Sequence, residues 1–254
     1  MYFIREKVLA GEFLAGVWCN LASSLTAEIA ASSGYDWLLI DQEHGPGDNE
    51  TLMGQLQAVG QRSCAPIVRI VWNEMPRFKR ALDLGAMGIM VPYVQTVADA
   101  EKAVSYMRYP PEGLRGAAIS PRATGYGVHF DSYFSEANRK LLSVHQIETA
   151  RAVENVQDIA RVDGVDVLFV GPLDLSLSVG MPKRFEDPEY RKLLSKVALC
   201  AKEVGKAAGI LLPSIRLVDM VHEMGYTFIA VSSDSGMVVE GMKNNMAALN
   251  PYKS

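Results

Sequence analysis

Three ionisable side chains crowd the end of the segment Trp37-Leu38-Leu39-Ile40-Asp41-Gln42-Glu43-His44. Asp41, Glu43 and His44 follow four apolar residues, and Gly45-Pro46-Gly47 then rules out a regular continuation. Carboxylates beside an imidazole can move protons near neutral pH, because histidine titrates there. The bland alternative is a solvated strand end that happens to be charged.

Two further carboxylates stand in comparable places. Glu148 closes the run Gln146-Ile147-Glu148, and Asp174 follows Val170-Gly171-Pro172-Leu173. Side chains alternate along a strand, so Gln146 and Glu148 point one way while His145 and Ile147 point the other, towards the helix layer for His145. Two bare carboxylates at adjacent strand tips repel unless one is protonated or a cation lies between them. Either the pair holds a hard divalent cation such as Mg²⁺ or Mn²⁺, with positions left for substrate oxygens, or the two are unrelated and one caps the next helix.

Arg69 interrupts the apolar run Ile67-Val68-Arg69-Ile70, which is costly unless its charge is matched. It either faces the carboxylates and an anionic oxygen bound among them or makes a structural ion pair. Asp83 is another candidate partner for a basic group. Trp18 closes an earlier apolar run and either walls a small pocket or packs in the core.

These positions need a scaffold that brings strand tips together. Short apolar runs at Ala15–Cys19, Trp37–Asp41, Pro66–Ile70, Met87–Val91, Leu141–Ile147, Val165–Val170, Ala207–Leu212 and Phe228–Val231 read as eight strands. Helical patterns lie between them at Leu25–Ser33, Thr51–Gln61, Met75–Leu84, Val97–Met107, Ala150–Ala160, Pro188–Val204 and Leu217–Met224. Eight alternations over 254 residues predict one (β/α)₈ barrel domain, with chemistry at the C-terminal ends of the strands. About fifty residues separate Val91 from Leu141, longer than an ordinary βα unit. This excursion, with Arg115-Gly116 and Ser120-Pro121-Arg122, is expected to leave the fourth strand's tip and cover the catalytic face or to be a structural insertion.

The composition narrows the function classes. A net charge of −4 gives no support for nucleic acid or an acidic membrane as partner. Cys19, Cys64 and Cys200 are too few and too scattered for a disulfide framework or a thiolate zinc site, which suits the cytoplasm. No segment reads as a signal peptide or a membrane span. No lysine stands at a strand tip in these motifs, which disfavours Schiff-base chemistry.

Taken together, the ordered motifs resemble the HpcH/HpaI aldolase family of metal-dependent pyruvate aldolases. The likeness runs from about Gly16 to Asp234. It rests on Gly34-Tyr35-Asp36-Trp37 with Asp41-Gln42-Glu43-His44, Leu82-Asp83-Leu84-Gly85-Ala86, Arg108-Tyr109-Pro110-Pro111 with Arg115-Gly116, Gln146-Ile147-Glu148 and Gly171-Pro172-Leu173-Asp174-Leu175-Ser176. The resemblance implies a (β/α)₈ barrel that cleaves a 4-hydroxy-2-oxo acid to pyruvate and an aldehyde with Mg²⁺, Mn²⁺ or Co²⁺. It implies Glu148 and Asp174 as metal ligands, His44 as catalytic base and Asp83 as the acid paired with it. Arg69 matches the arginine that holds the keto oxygen and enolate, Gln146 a substrate- or water-contacting residue, Trp18 a pocket wall and Asp41 a supporting acid. Leu173 stands where many members have alanine, beside a backbone N–H suited to a substrate carboxylate, and its bulk is expected to alter the acceptor pocket. A homohexamer, a trimer of dimers, is implied as well, with Met237–Leu249 as a helix docking on a neighbouring subunit. The alternatives are an oxaloacetate decarboxylase using the same enolate, or a non-catalytic barrel that binds a dicarboxylate.

Overall fold

The computed structural model describes residues 2–253. Eight parallel strands close into a barrel in sequence order: β1 Leu14–Cys19, β2 Trp37–Asp41, β3 Ala65–Arg69, β4 Gly88–Val91, β5 Leu142–Ile147, β6 Val167–Val170, β7 Ala207–Leu212 and β8 Tyr226–Ser233. All eight predicted strands are present, with ends shifted by at most two residues, and β8 pairs with β1 to close the ring. The helices are α1 Arg5–Leu9, α2 Ser24–Ser32, α3 Asn49–Val59, α4 Met75–Leu84, α5 Val97–Met107, α6 Phe130–Lys140, α7 Ala150–Glu154, α8 Val156–Arg161, α9 Pro172–Ser178, α10 Pro188–Glu203, α11 Val218–Glu223 and α12 Asp234–Leu249. Side chains of Ser23, Asp48, Thr96 and Thr149 cap the free N–H groups that begin α2, α3, α5 and α7. The single helix expected over Ala150–Ala160 is two, broken at Asn155.

Strand alternation splits the core into two layers. Trp37, Leu39, Ile67, Val144, Phe169 and Phe228 fill the barrel interior, while their neighbours Leu38, Ile40, Val68 and Leu168 pack under the helices. The interior is aromatic: Trp37 stacks on Phe228 with centroids 3.9 Å apart. Ile4, just before α1, and Val8 within it join this inner layer, so that helix plugs the N-terminal end. Arg5 fastens the plug with two 2.9 Å hydrogen bonds to Asp166.

Of the two expectations for the excursion after β4, the structure takes the structural insertion. It does not cover the catalytic face. The helix α5 takes the chain from the upper rim down the outside, so the segment that follows starts at the lower end. Arg115 there donates to Asp83 at 3.0 Å, and Arg122 donates to the carbonyls of Leu84 at 2.8 Å and Leu56 at 3.2 Å, near the ends of α4 and α3. Beneath the barrel, a cavity of about 510 Å³ separates this segment from the starts of β3 and β4, lined by Cys64, Pro66, Met87, Arg122, His129 and Tyr133. The last helix, α12, leaves β8 and exposes Met237, Val238, Val239, Met242, Met246 and Leu249 along its length.

Candidate active site

The inward phase of each strand decides what reaches the upper rim. Asp41 shares a phase with Trp37 and Leu39, and Arg69 shares one with Ala65 and Ile67, so both aim into the barrel mouth. Arg69 Nε donates to Asp41 Oδ1 at 2.9 Å and Nη2 donates to Oδ2 at 2.6 Å. Glu43 Oε2 lies 2.9 Å from the remaining nitrogen, Nη1. Trp18 donates its indole N–H to Asp41 Oδ2 at 3.2 Å, and the guanidinium carbon sits 5.0 Å from the Trp18 ring centroid. Trp18 thus anchors the Asp41–Arg69 pair. Burial pushes the Asp41 carboxyl up, but the Arg69 hydrogen bonds and charge bring it net below its usual range.

Asp41 also shapes the turn beyond β2. Its Oδ1 accepts from the backbone N–H of Glu43 at 3.0 Å and of His44 at 3.3 Å. A Cβ at Gly45 would lie 2.2 Å from the Asp41 carbonyl oxygen, so the turn closes this tightly only with glycine. The turn leaves the His44 side chain 69% exposed at the mouth, its Nε2 3.9 Å from Glu43 Oε2.

Glu148 stands across the mouth and is buried. The backbone N–H of Tyr93 donates to its Oε1 at 2.7 Å. Burial, with the charges of Glu43 and Asp174, raises its carboxyl to about 7 against the opposing pull of Tyr93 N–H and Arg69. Tyr93 adopts a left-handed φ of 57° to deliver that amide, and its ring stacks on Trp72 with centroids 5.8 Å apart. Asp174 lies in the first turn of α9, with Leu173 beside it half exposed at the mouth. Gln146 is buried and its Oε1 has no hydrogen-bond partner.

Glu43, Glu148 and Asp174 therefore share one electrostatic field with Arg69. Among the described residues no group of three or more His, Cys, Asp or Glu side chains is arranged to enclose a metal ion. What the rim offers is an open set: the carboxylates of Glu148 and Asp174, with the Gln146 amide beside Gly171 and its oxygen unpartnered. A Cβ at Gly171 would sit 2.5 Å from Glu148 Oε2, so glycine keeps that oxygen's approach clear. Oxygen donors, surplus negative charge and open positions fit a hard divalent cation that completes its shell with substrate and water.

Asp83 is the predicted residue the structure does not bring here. α4 begins near the rim and descends, placing Asp83 roughly 12 Å along the helix from its start. Its carboxylate is engaged by Arg115, whose side chain is fully buried between Tyr109 and Tyr133. The pairing of Asp83 with His44 is not made within the chain, and Glu43 is the carboxylate beside His44. Sequence reasoning placed Glu43 in the charged cluster between Asp41 and His44 but gave it no individual role. The Tyr93 amide was missed because a backbone donor leaves no residue-type signal.

Residues 14–241 match the family described as HpcH/HpaI aldolase/citrate lyase. The chain is 40% identical over 233 residues to 5-keto-4-deoxy-D-glucarate aldolase of Klebsiella pneumoniae subsp. pneumoniae, covering 92% of this chain and 91% of that protein. It superimposes on a HpcH/HpaI aldolase/citrate lyase family protein from Burkholderia cenocepacia J2315 with a TM-score of 0.93 and 35% identity, covering 97% of this chain and 98% of that one. A HpcH/HpaI aldolase from Desulfitobacterium hafniense DCB-2 gives a TM-score of 0.92 at 26% identity, over 98% and 97% of the two chains. A match that spans nearly the whole barrel, joined to a relative at 40% identity, places this chain in the HpcH/HpaI aldolase/citrate lyase family.

Proposed function

We propose that the C-terminal rim of this barrel cleaves a 4-hydroxy-2-oxo acid between C3 and C4, releasing pyruvate or a close analogue and an aldehyde. The chain is a carbon–carbon lyase of the aldolase type, as its relatives at about 40% identity are. The observation that carries the residue assignment is the convergence of Arg69, held side-on by Asp41, with Glu43, Glu148 and Asp174 at one mouth.

Each residue has a part that its surroundings support. Asp41 fixes the guanidinium so that Arg69 presents its outer edge to the 2-oxo oxygen, where negative charge develops as the bond breaks. His44 takes the proton from the C4 hydroxyl, the C3–C4 electron pair becomes the enolate, and a proton returned to C3 completes pyruvate. Its exposure lets the imidazole reach substrate and exchange protons with solvent. Trp18 walls the pocket, and Gln146 and the Leu173 edge border the substrate. Glu148 and Asp174 would hold a divalent cation, Mg²⁺ or Mn²⁺. Such a cation supplies Lewis acidity to a keto acid's oxygens when bound. Asp83 is left to its partner Arg115.

The name of the relatives suggests the substrate. A 5-keto-4-deoxyglucarate, numbered from its keto end, contains a 4-hydroxy-2-oxo unit; cleavage gives pyruvate and a three-carbon aldehyde acid. We take a 4-deoxy-5-keto aldarate as the substrate class. We also assign the enzyme to the cytoplasm, in keeping with three free buried thiols. The apolar residues exposed on α12 support association of copies through that helix, and the trimer of dimers is the arrangement that the family resemblance implies. No helix among the described residues is long and apolar enough to cross a membrane.

The test offers purified protein with Mg²⁺ a panel of 4-hydroxy-2-oxo acids, including 5-keto-4-deoxy-D-glucarate. Pyruvate and aldehyde should appear in equal amounts, vanish in EDTA and return with Mg²⁺ or Mn²⁺. Carbon dioxide from oxaloacetate without aldehyde release from any member would make it a decarboxylase instead. Full turnover in chelator would remove the metal from Glu148 and Asp174.

A further inference from the structure

We infer that Glu43 is a displaceable counter-ion: its carboxylate sits on Arg69 Nη1, and it gives way to the 2-oxo acid and turns to His44 when substrate binds. The inference deepens the proposed function and rests on Arg69 as the group that holds the substrate's oxygen.

The guanidinium geometry forces the question. Asp41 takes Nε and Nη2, the two nitrogens of one edge, from deep in the barrel. The outward nitrogen, Nη1, is the one left to face the mouth, and Glu43 Oε2 stands 2.9 Å from it. An incoming anionic oxygen must compete with that carboxylate. Asp41 cannot be the one to yield, since it is buried and also accepts from Trp18 and from the amides of Glu43 and His44. Glu43 can. Among the described residues, the directed hydrogen bonds of Arg69 go to Asp41, whereas Glu43 meets Nη1 as a charge pair. Glu43 also sits in a crowd of like charge, facing Asp41 and Asp174. Losing Arg69 costs it least if another cation is at hand.

His44 is that cation. Its Nε2 already lies 3.9 Å from the same Oε2. An imidazole that has just accepted a substrate proton carries positive charge, and a carboxylate freed from Arg69 stabilises it. One carboxylate thereby links substrate arrival at Arg69 to the readiness of His44. Glu43 touches neither reacting atom, so it is a positioning residue.

The role separates binding from turnover, which a passive brace for Arg69 would not. Glu43→Gln keeps shape and removes charge. With Mg²⁺ present, pyruvate should bind the variant about 3- to 10-fold more tightly by calorimetry, because its competitor for Nη1 is gone. At saturating pyruvate, methyl-proton exchange into D₂O followed by NMR should slow at least about 10-fold, because His44 loses its counter-charge. Unchanged or weaker binding, or unchanged exchange, overturns the inference. A structure of the wild-type protein with Mg²⁺ and pyruvate tests it without a variant: Glu43 must leave Arg69 and come within hydrogen-bond distance of His44, and a retained contact overturns it. If the wild-type protein exchanges no methyl protons, the proposed function falls and takes this inference along. If it exchanges and the variant shows no such split, this inference alone falls.

Discussion

Asp41 and Arg69 are the last residues of β2 and β3, paired in register, and their side chains meet in a buried fork with contacts of 2.9 and 2.6 Å. The register is set several residues below, where Trp37, Leu39, Ala65 and Ile67 turn inward together. Moving either strand by one residue would bury the charge under the helix layer. The fork is therefore a product of core packing, and it delivers a fixed guanidinium to the mouth without a flexible loop.

Asp41→Asn breaks the fork while keeping the shape. One acceptor becomes a donor, leaving Arg69 with an N–H facing an N–H. Glu43 offsets part of the lost charge, so the expected cost is about 2–4 kcal/mol, below or within the range for an unpartnered buried ion. That corresponds to a fall of roughly 5–15 °C in Tm for a chain of this size. The loss should be full near neutral pH. Because Arg69 holds the Asp41 carboxyl below its ordinary range, its stabilisation is present above about pH 4 and fades as pH falls through the folded value. A Tm within a degree of wild type at pH 7 would contradict the structural importance of the pair.

His44→Ala should separate chemistry from stability. The side chain is 69% exposed, and exposed positions usually change stability by no more than about 0.5 kcal/mol. Pyruvate methyl-proton exchange should slow by about 100-fold or more, the range lost when a positioned base is removed. Exchange at the wild-type rate would remove His44 as the base. A large drop in Tm would mean that the imidazole supports the turn as well.

Much of the scaffold was legible because two periodicities are written into the residues. The apolar runs ending in Asp41 and Arg69 announce inward-facing strands, and the caps at Asp48 and Thr96 announce the helices beside them. The same alternation put Gln146 and Glu148 on the inner face and His145 on the outer. Other parts left little trace. In α6 the buried residues are Tyr133 and Ala137, a stripe too narrow to stand out in a polar segment. The plug α1 is five residues long and buries Val8, with Ile4 buried just before it. The length of the excursion leaves its face open, and what decides it is the helix Val97–Met107, which carries the chain to the other end before the excursion begins. Asp83 shows a related limit: a motif fixes a residue in sequence, whereas within this chain α4 carries it away from the rim and onto Arg115.

His145 makes the last prediction, on the other side of the strand that carries Gln146. Its ring is fully buried under the helices, with Nε2 2.8 Å from Ser143 Oγ and Nδ1 without a partner. Burial, with a smaller contribution from the Lys206 charge, lowers its pKa from 6.5 to about 3. The folded protein thus keeps the ring neutral where the unfolded chain protonates it. Stability from this residue is full above about pH 6.5 and declines as pH falls towards 3, because the unfolded state binds the extra proton. Between pH 7 and pH 4 the loss is on the order of 3 kcal/mol. His145→Gln, which keeps a polar partner for Ser143 and does not titrate, should remove that part of the decline. Urea unfolding of both proteins at pH 7 and pH 4 measures it. Parallel losses in the two proteins would mean that His145 accepts a proton in the folded state, through local opening or a water at Nδ1.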